Sequence, residues 1–268
     1  MPIPSAHSRS WRRYGERRRQ QRRPLAADAA AAVCADAATE RLGPPDKKRA
    51  VDRLRRTQTE EDGMRLIKFP QSCVVIEGSG GRVLIDPGDV AMDAFGFEDF
   101  GTVDAVLFTH RHPDHLDPRA VEAIAERGLP VYANADACEL IAGTTTTTVS
   151  AGHAFEVAGF DVVPHDMPHV VMVNGASGPP NTGYVFDGRL LHPGDSMQVD
   201  GVRVDALAVP IAGPSISFRD AYVAVETTGS ATAIPIHYDK FLANPRQFRH
   251  FCDIASVVVL EHGQSTDL

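Results

Sequence analysis

Six residues in the middle of this 268-residue chain constrain it more than any other feature: His110-Arg111-His112-Pro113-Asp114-His115, directly after the apolar run 103–109. Side chains alternate between the two faces of a strand, so a strand ending here delivers His110 and His112 to a common point. Pro113 then turns the chain, and Asp114 and His115 can face a second point just beyond. Imidazole and carboxylate groups this closely spaced cannot all be buried without partners. Two adjacent divalent cations would satisfy them; the alternative is a loop in which all four stay solvated. The first reading requires a strand that stops at a sheet edge with open space beside it.

The surrounding pattern supplies such a frame. Runs 66–69, 73–77 and 82–86 read as strands, the last two joined by Gly78-Ser79-Gly80-Gly81. A helix is expected over 117–127, with Val121, Ile124 and Ala125 at helical spacing and Gly128 as its stop. Further strands are expected at 130–133, 145–149, 160–164, 182–186, 189–192, 204–209, 231–236 and 256–260, with helices at 218–228 and 241–251. The five threonines Thr144 to Thr148 read as one of these strands, because β-branched side chains suit a pleated surface. Many strands with a few interspersed helices predict an α/β architecture of layered sheets covered by helices.

Residues 1–63 read differently. They are rich in Arg, Gln and Ala, are interrupted by Gly43-Pro44-Pro45, and offer little apolar surface to bury, so a disordered extension is expected, with a domain over 64–268. This extension is open to three readings: a segment upstream of a true start at Met64, a flexible basic arm, or a targeting peptide. Asp28 and Asp36 interrupt the apolar core that export would need. Charge divides at the same place. Residues 1–63 hold 15 Lys/Arg and 9 Asp/Glu, a net +6, whereas the remainder holds 12 and 26, a net −14. A domain that acidic repels a phosphate backbone, which argues against nucleic acid as its partner. No run approaches the roughly 20 apolar residues of a membrane helix. Four scattered cysteines without a Cys-x-x-Cys pair (Cys34, Cys73, Cys138 and Cys252) fit reduced thiols and a cytoplasmic location.

The motif, with its flanking strand and helix, resembles the metal-binding signature of the metallo-β-lactamase-fold superfamily, and the resemblance continues in order through 64–268. It implies an αββα sandwich, two mixed sheets flanked by helices. It also implies an enzyme, a metal-dependent hydrolase with two divalent metal ions. Ile85-Asp86-Pro87-Gly88 is similar to the first element, whose aspartate supports the metal loop without ligating, and Asp86 could do so by accepting a hydrogen bond from a ligand His. A third histidine for the first metal is expected after a mid-chain strand. Val162 to His169 offers His165 and His169. His165 is preferred because it comes first after the strand, leaving His169 to line the substrate pocket. His192-Pro193-Gly194-Asp195-Ser196 resembles the element whose Asp bridges both metals, and Pro235-Ile236-His237-Tyr238 the last, a strand-end His. The resemblance thus implies His110, His112 and His165 on one metal, Asp114, His115 and His237 on the other, and Asp195 between them. Nitrogen and carboxylate donors without thiolate favour Zn²⁺, with Mn²⁺ or Fe²⁺ as alternatives.

Such a pair lowers the pKa of a bridging water toward neutrality, and Asp114 would relay its proton. The expected reaction is attack by that hydroxide on a small-molecule ester, lactone, amide or phosphoester. A nucleic-acid phosphodiesterase and a metal-dependent binding or sensor protein without turnover are the alternatives. Within the superfamily the chain is similar to the compact branch that includes the ascorbate-6-phosphate lactonase, on Met64 to Phe69, Ser72-Cys73 and the two late motifs. That branch commonly has His just before Ser-Cys, where this chain has Gln71. The Gly- and Pro-rich segment 174–181 reads as an added loop near His169 that could act as a lid. Tyr238 and Lys240 are further candidates for contact with substrate.

Overall fold

A computed structural model describes residues 63–141 and 143–268; the expected extension over 1–63 lies, but for Gly63, outside them. Period-two burial is what the strands are built on. In β2 (Val74–Gly78), Val74 and Ile76 face one side while Cys73 and Val75 face the other. The same alternation divides Val83 and Ile85 from Leu84 in β3 (Gly81–Ile85), and Ala105 and Leu107 from Val106 and Phe108 in β4 (Ala105–Phe108). A strand apolar on both faces must be covered on both.

Two seven-stranded sheets meet this requirement by stacking. The first runs from β14 (Ser265–Asp267) through β1 (Arg65–Lys68), β2, β3, β4 and β5 (Pro130–Ala133) to β6 (Thr145–Thr148). The second runs from β13 (Ser256–Val257) through β12 (Thr232–Ile236), β11 (Ala206–Pro210), β10 (Leu190–His192), β9 (Thr182–Phe186) and β8 (Phe160–Asp166) to β7 (Phe155–Val157). Their facing sides share one core, in which Leu66, Ile76, Ile85 and Leu107 meet Tyr184, Phe186, Ala208 and Ile236. Helices cover the outer faces. Ala120, Val121 and Ile124 of α2 (Pro118–Arg127) pack on the first sheet, and Ala221, Ala224 and Val225 of α4 (Phe218–Thr228) on the second. Two short helices, α1 (Asp89–Ala94) and α3 (Ala135–Cys138), and α5 (Pro245–Phe251) complete the layers. This is the αββα sandwich, two mixed sheets flanked by helices.

Most expected elements lie within a residue or two of their ranges, whereas α1, α3, β7 and β14 stand where the sequence reading places none. The helix expected over 241–251 begins only at Pro245. Leu242 holds a left-handed φ of 54°, and Pro245 sits in the first turn behind the cap Asn244. The strand expected at 256–260 stops at Val257. β8 runs to Asp166, two residues beyond the expected end, with consequences for the site. Among the described residues no helix is long and apolar enough to cross a membrane, and Cys73, Cys138 and Cys252 are free thiols.

What positions the site is strand direction. β3 and β4 run parallel. In the second sheet β8, β10 and β12 share one direction, because β9 is antiparallel to both β8 and β10, and β11 is parallel to both β10 and β12. Their carboxyl ends therefore release residues 86, 109–115, 167–169, 193–195 and 237 into a few neighbouring loops.

Candidate metal centre

Asp86 is the first residue past β3, wholly buried, and it ties the metal-loop candidates to the sheet. Its carboxylate accepts from the Thr109 backbone N–H at 2.8 Å, the Thr109 hydroxyl at 2.7 Å and the His115 Nδ1 at 2.7 Å. Gly88 lets the two loops touch, since a Cβ there would lie 2.0 Å from the carbonyl group of Asp114. The Asp89 N–H donates to the Pro113 carbonyl at 2.7 Å across the same contact.

These bonds also fix tautomers. The single Thr109 hydroxyl proton goes to Asp86, an acceptor only, so its oxygen, 3.0 Å from His110 Nδ1, accepts from that nitrogen. His115 Nδ1 donates to Asp86, His169 Nδ1 to the Val170 carbonyl at 2.6 Å, and His237 Nδ1 to the Ala212 carbonyl at 2.6 Å. All four rings are thus held from outside at Nδ1, the arrangement that orients metal-ligating histidines and turns Nε2 inward.

The inward atoms form two groups. His110, His112, His169 and Asp195 offer donor atoms within 4.8 Å of one another, and so do Asp114, His115 and His237. His112 presents Nδ1, which lies 3.1 Å from Nε2 of both His110 and His169. Asp195 stands between the groups. Its Oδ1 is 3.1 Å from His115 Nε2, while Oδ2 is 3.1 Å from His237 Nε2 and 3.4 Å from His169 Nε2. His115 Nε2, Asp195 Oδ1 and His237 Nε2 are nevertheless buried without a hydrogen-bond partner. Nitrogens on one tetrahedral ion with 2.0–2.1 Å bonds would sit roughly 3.4 Å apart. Buried, unpaired donor atoms at about that spacing, with no thiolate among them, fit divalent metal ions.

Electrostatics agree with a cation-shaped site. Burial alone would lower the His115 and His237 pKa values. The Asp195 and Asp86 carboxylates instead raise His115, and Asp195 and Asp114 push His237 up to about 9. Burial would likewise raise Asp195 and Asp114, but His115 and His237 hold both below the usual carboxylate range. His110 is pushed well down by burial and then by His115.

The structure thus brings together six of the seven expected ligands and replaces the other: His169, not His165, completes the first group. Because β8 continues to Asp166, His165 is paired with Gly183 inside the sheet, on the same face as Val163. Only burial shifts its pKa, downward, with no contribution from a charged neighbour. His169→Ala is therefore expected to weaken metal binding by at least about 100-fold, since loss of an outer hydrogen-bond partner alone costs 10–100-fold. His165→Ala should retain full metal content in the same elemental analysis.

Tyr238 is corrected as well. Its ring lies under Lys68 Nζ at 4.5 Å, its hydroxyl donates to the Leu260 carbonyl, and it does not line the cavity. Lys240 does line it. The 174–181 loop lies against His169, because a Cβ on Gly178 would meet that ring at 2.3 Å. Two contacts escaped sequence reasoning. Gln71, wholly buried, donates from Nε2 to Asp114 Oδ2 at 3.0 Å. Asn181 joins two site loops, donating to the Met167 and Pro193 carbonyls and accepting from the Asp195 N–H. The Gln71 signal was present as a departure from the resembling branch; Asn181 gave none. Gln71, Asp86 and His237 all hold left-handed φ values, 60°, 51° and 59°, and such strained backbone gathers at functional sites.

Residues 65–237 match the family described as the beta-lactamase superfamily domain. A protein of Pyrococcus abyssi described as a metal-dependent hydrolase is 31% identical over 216 residues, covering 72% of this chain and 94% of that protein. Among solved structures, a metallo hydrolase from the archaeon Ignicoccus hospitalis superposes with TM-score 0.65 at 22% identity, covering 77% of this chain and 98% of that one. A metallo-beta-lactamase fold protein from Bacillus subtilis superposes with TM-score 0.59 at 16% identity, covering 78% and 100%.

Proposed function

Since this chain belongs to the metallo-β-lactamase superfamily and is a metal-dependent hydrolase, we propose that two divalent metal ions activate water in it for attack on a small-molecule ester, lactone, amide or phosphoester. The observation that carries this reading is the pair of donor groups meeting at Asp195, where His115 Nε2, Asp195 Oδ1 and His237 Nε2 are buried and unpaired. His110, His112 and His169 would hold one ion and Asp114, His115 and His237 the other, with Asp195 in reach of both groups. When bound, such a pair supplies a hydroxide near neutral pH and polarises the attacked group. Zn²⁺ suits this donor set, as do Mn²⁺ and Fe²⁺ less closely.

The chain's own residues complete the reaction. Gln71 holds the Asp114 carboxylate in one orientation, and Asp114 faces the cavity, where it takes the proton of the attacking water. The water oxygen bonds to the acyl carbon or phosphorus. The bond to the leaving atom breaks with its electron pair on that atom, which receives the proton from Asp114. Nucleic acid fits the cavity poorly: the one cation among its lining residues, Lys240, is 3.2 Å from Asp89 Oδ2. Free thiols at Cys73, Cys138 and Cys252 accord with a reducing, cytoplasmic setting.

The test is elemental analysis of protein purified without chelators, alongside turnover of ester, lactone, amide and phosphoester substrates. Two metal equivalents and turnover of at least one class are expected. A fully loaded protein inert toward all four would sink the hydrolytic reading and leave the sensor alternative.

A further inference from the structure

The donor groups open into a cavity of about 230 Å³ whose remaining wall is almost wholly apolar: Val170, Val171, Met172, Val173, Ile216 and Phe241. The run 170–173 belongs to none of the hydrophobic cores. Val171 is 58% exposed and Val173 72%. Val170 and Met172 are half-buried, and exposed apolar side chains that join no core, beside a cavity, mark a binding wall. The wall is also fixed to the site. The Val170 N–H donates to the Asp195 carbonyl at 2.9 Å, its own carbonyl receives His169 Nδ1, and a turn between Met172 and Ala176 closes the run. The polar side of the cavity is made by the ligand candidates His112, Asp114, His169, Asp195 and His237, and its one lysine is already paired with Asp89. A phosphorylated group is recognised by unpaired Arg or Lys, and none is present on this wall.

We propose that the substrate is an uncharged ester or lactone carrying an aliphatic chain, which lies along Val170–Val173, Ile216 and Phe241 with its acyl carbon toward Asp195. This assignment rests on the hydrolytic reading above. The chain is held by area removed from water, so each methylene should tighten binding roughly fourfold until the cavity is filled.

The experiment is calorimetric titration of the metal-loaded, full-length protein with aceto-, butyro- and hexanohydroxamate, uncharged metal-directed probes that differ only in chain length. Glucose 6-phosphate serves as the phosphorylated competitor. The expected result is a Kd that falls roughly fourfold per methylene, no displacement by millimolar glucose 6-phosphate, and a flattened series in a V171S/V173S variant of unchanged metal content. A Kd independent of chain length, or displacement by glucose 6-phosphate, would overturn the assignment. The readout is binding, so it separates from the turnover panel. Chain-length dependence without turnover of any substrate class would reject the reaction and keep the apolar preference; turnover without chain-length dependence would do the reverse.

Discussion

Asp195→Asn is expected to lower kcat/KM by at least about 10³-fold and to reduce bound metal below two equivalents. The carboxylate is the group that reaches both donor sets, with Oδ1 toward His115 and Oδ2 toward both His237 and His169. An amide of the same shape removes the negative charge and turns an N–H₂ toward nitrogens that should be accepting a cation. Loss of metal-borne charge stabilisation in a transition state is worth several kcal/mol, and each 1.36 kcal/mol is tenfold in rate. The loop itself should persist, because the Asp195 N–H still donates to Asn181 and the Val170 N–H still donates to the Asp195 carbonyl. Metal content, kcat/KM and Tm measured together separate loss of the ligand from loss of the fold. A variant that keeps two metals and works within tenfold of the parent would remove Asp195 from the centre.

Asp86→Ala should destabilise the fold by about 3–5 kcal/mol, the range for removing one partner of a buried, charge-assisted network. Asp86 is fully buried, and its loss strands the Thr109 N–H, the Thr109 hydroxyl and the His115 ring, none of which water reaches. The same change frees the His115 and His110 rings to rotate, which adds a 10–100-fold loss of metal affinity. Asp86→Asn is the discriminating partner. Asparagine accepts the left-handed backbone here, φ 51°, as well as aspartate does, and it keeps one carbonyl acceptor but sets an N–H₂ against one of the remaining donors. About half the loss is expected in urea denaturation, with metal affinity still reduced. Equal stability of Asn and parent would mean that the network does not anchor the loop.

Both experiments probe residues that differ in how far the sequence betrays them. Asp86 was visible as an aspartate closing a strand, and Asp195 as a Gly-Asp turn after one, but only resemblance assigned them roles. Gln71 is marked in sequence only as a departure from the resembling branch, with no role attached. It becomes a site residue because β1 and β2 meet at its turn, where its backbone carbonyl accepts from the His237 N–H and its side chain reaches Asp114. Nothing local to residue 71 encodes a contact with residues 43 and 166 positions away.

The choice between His165 and His169 is the sharpest case. Strand alternation, the 110–115 motif and the two-sided apolar runs are consequences of covalent spacing, so the sequence alone determined the layered sandwich and the strand-end cluster. Where a strand stops is decided by its neighbour. β9 pairs with β8 through Thr182 and Asp166, which holds His165 in the sheet and leaves His169 free to turn inward. Tertiary pairing also supplied the outer hydrogen bonds that aim each imidazole Nε2, because those partners, at Asp86, Val170 and Ala212, belong to loops that come together only when both sheets have closed on their shared core.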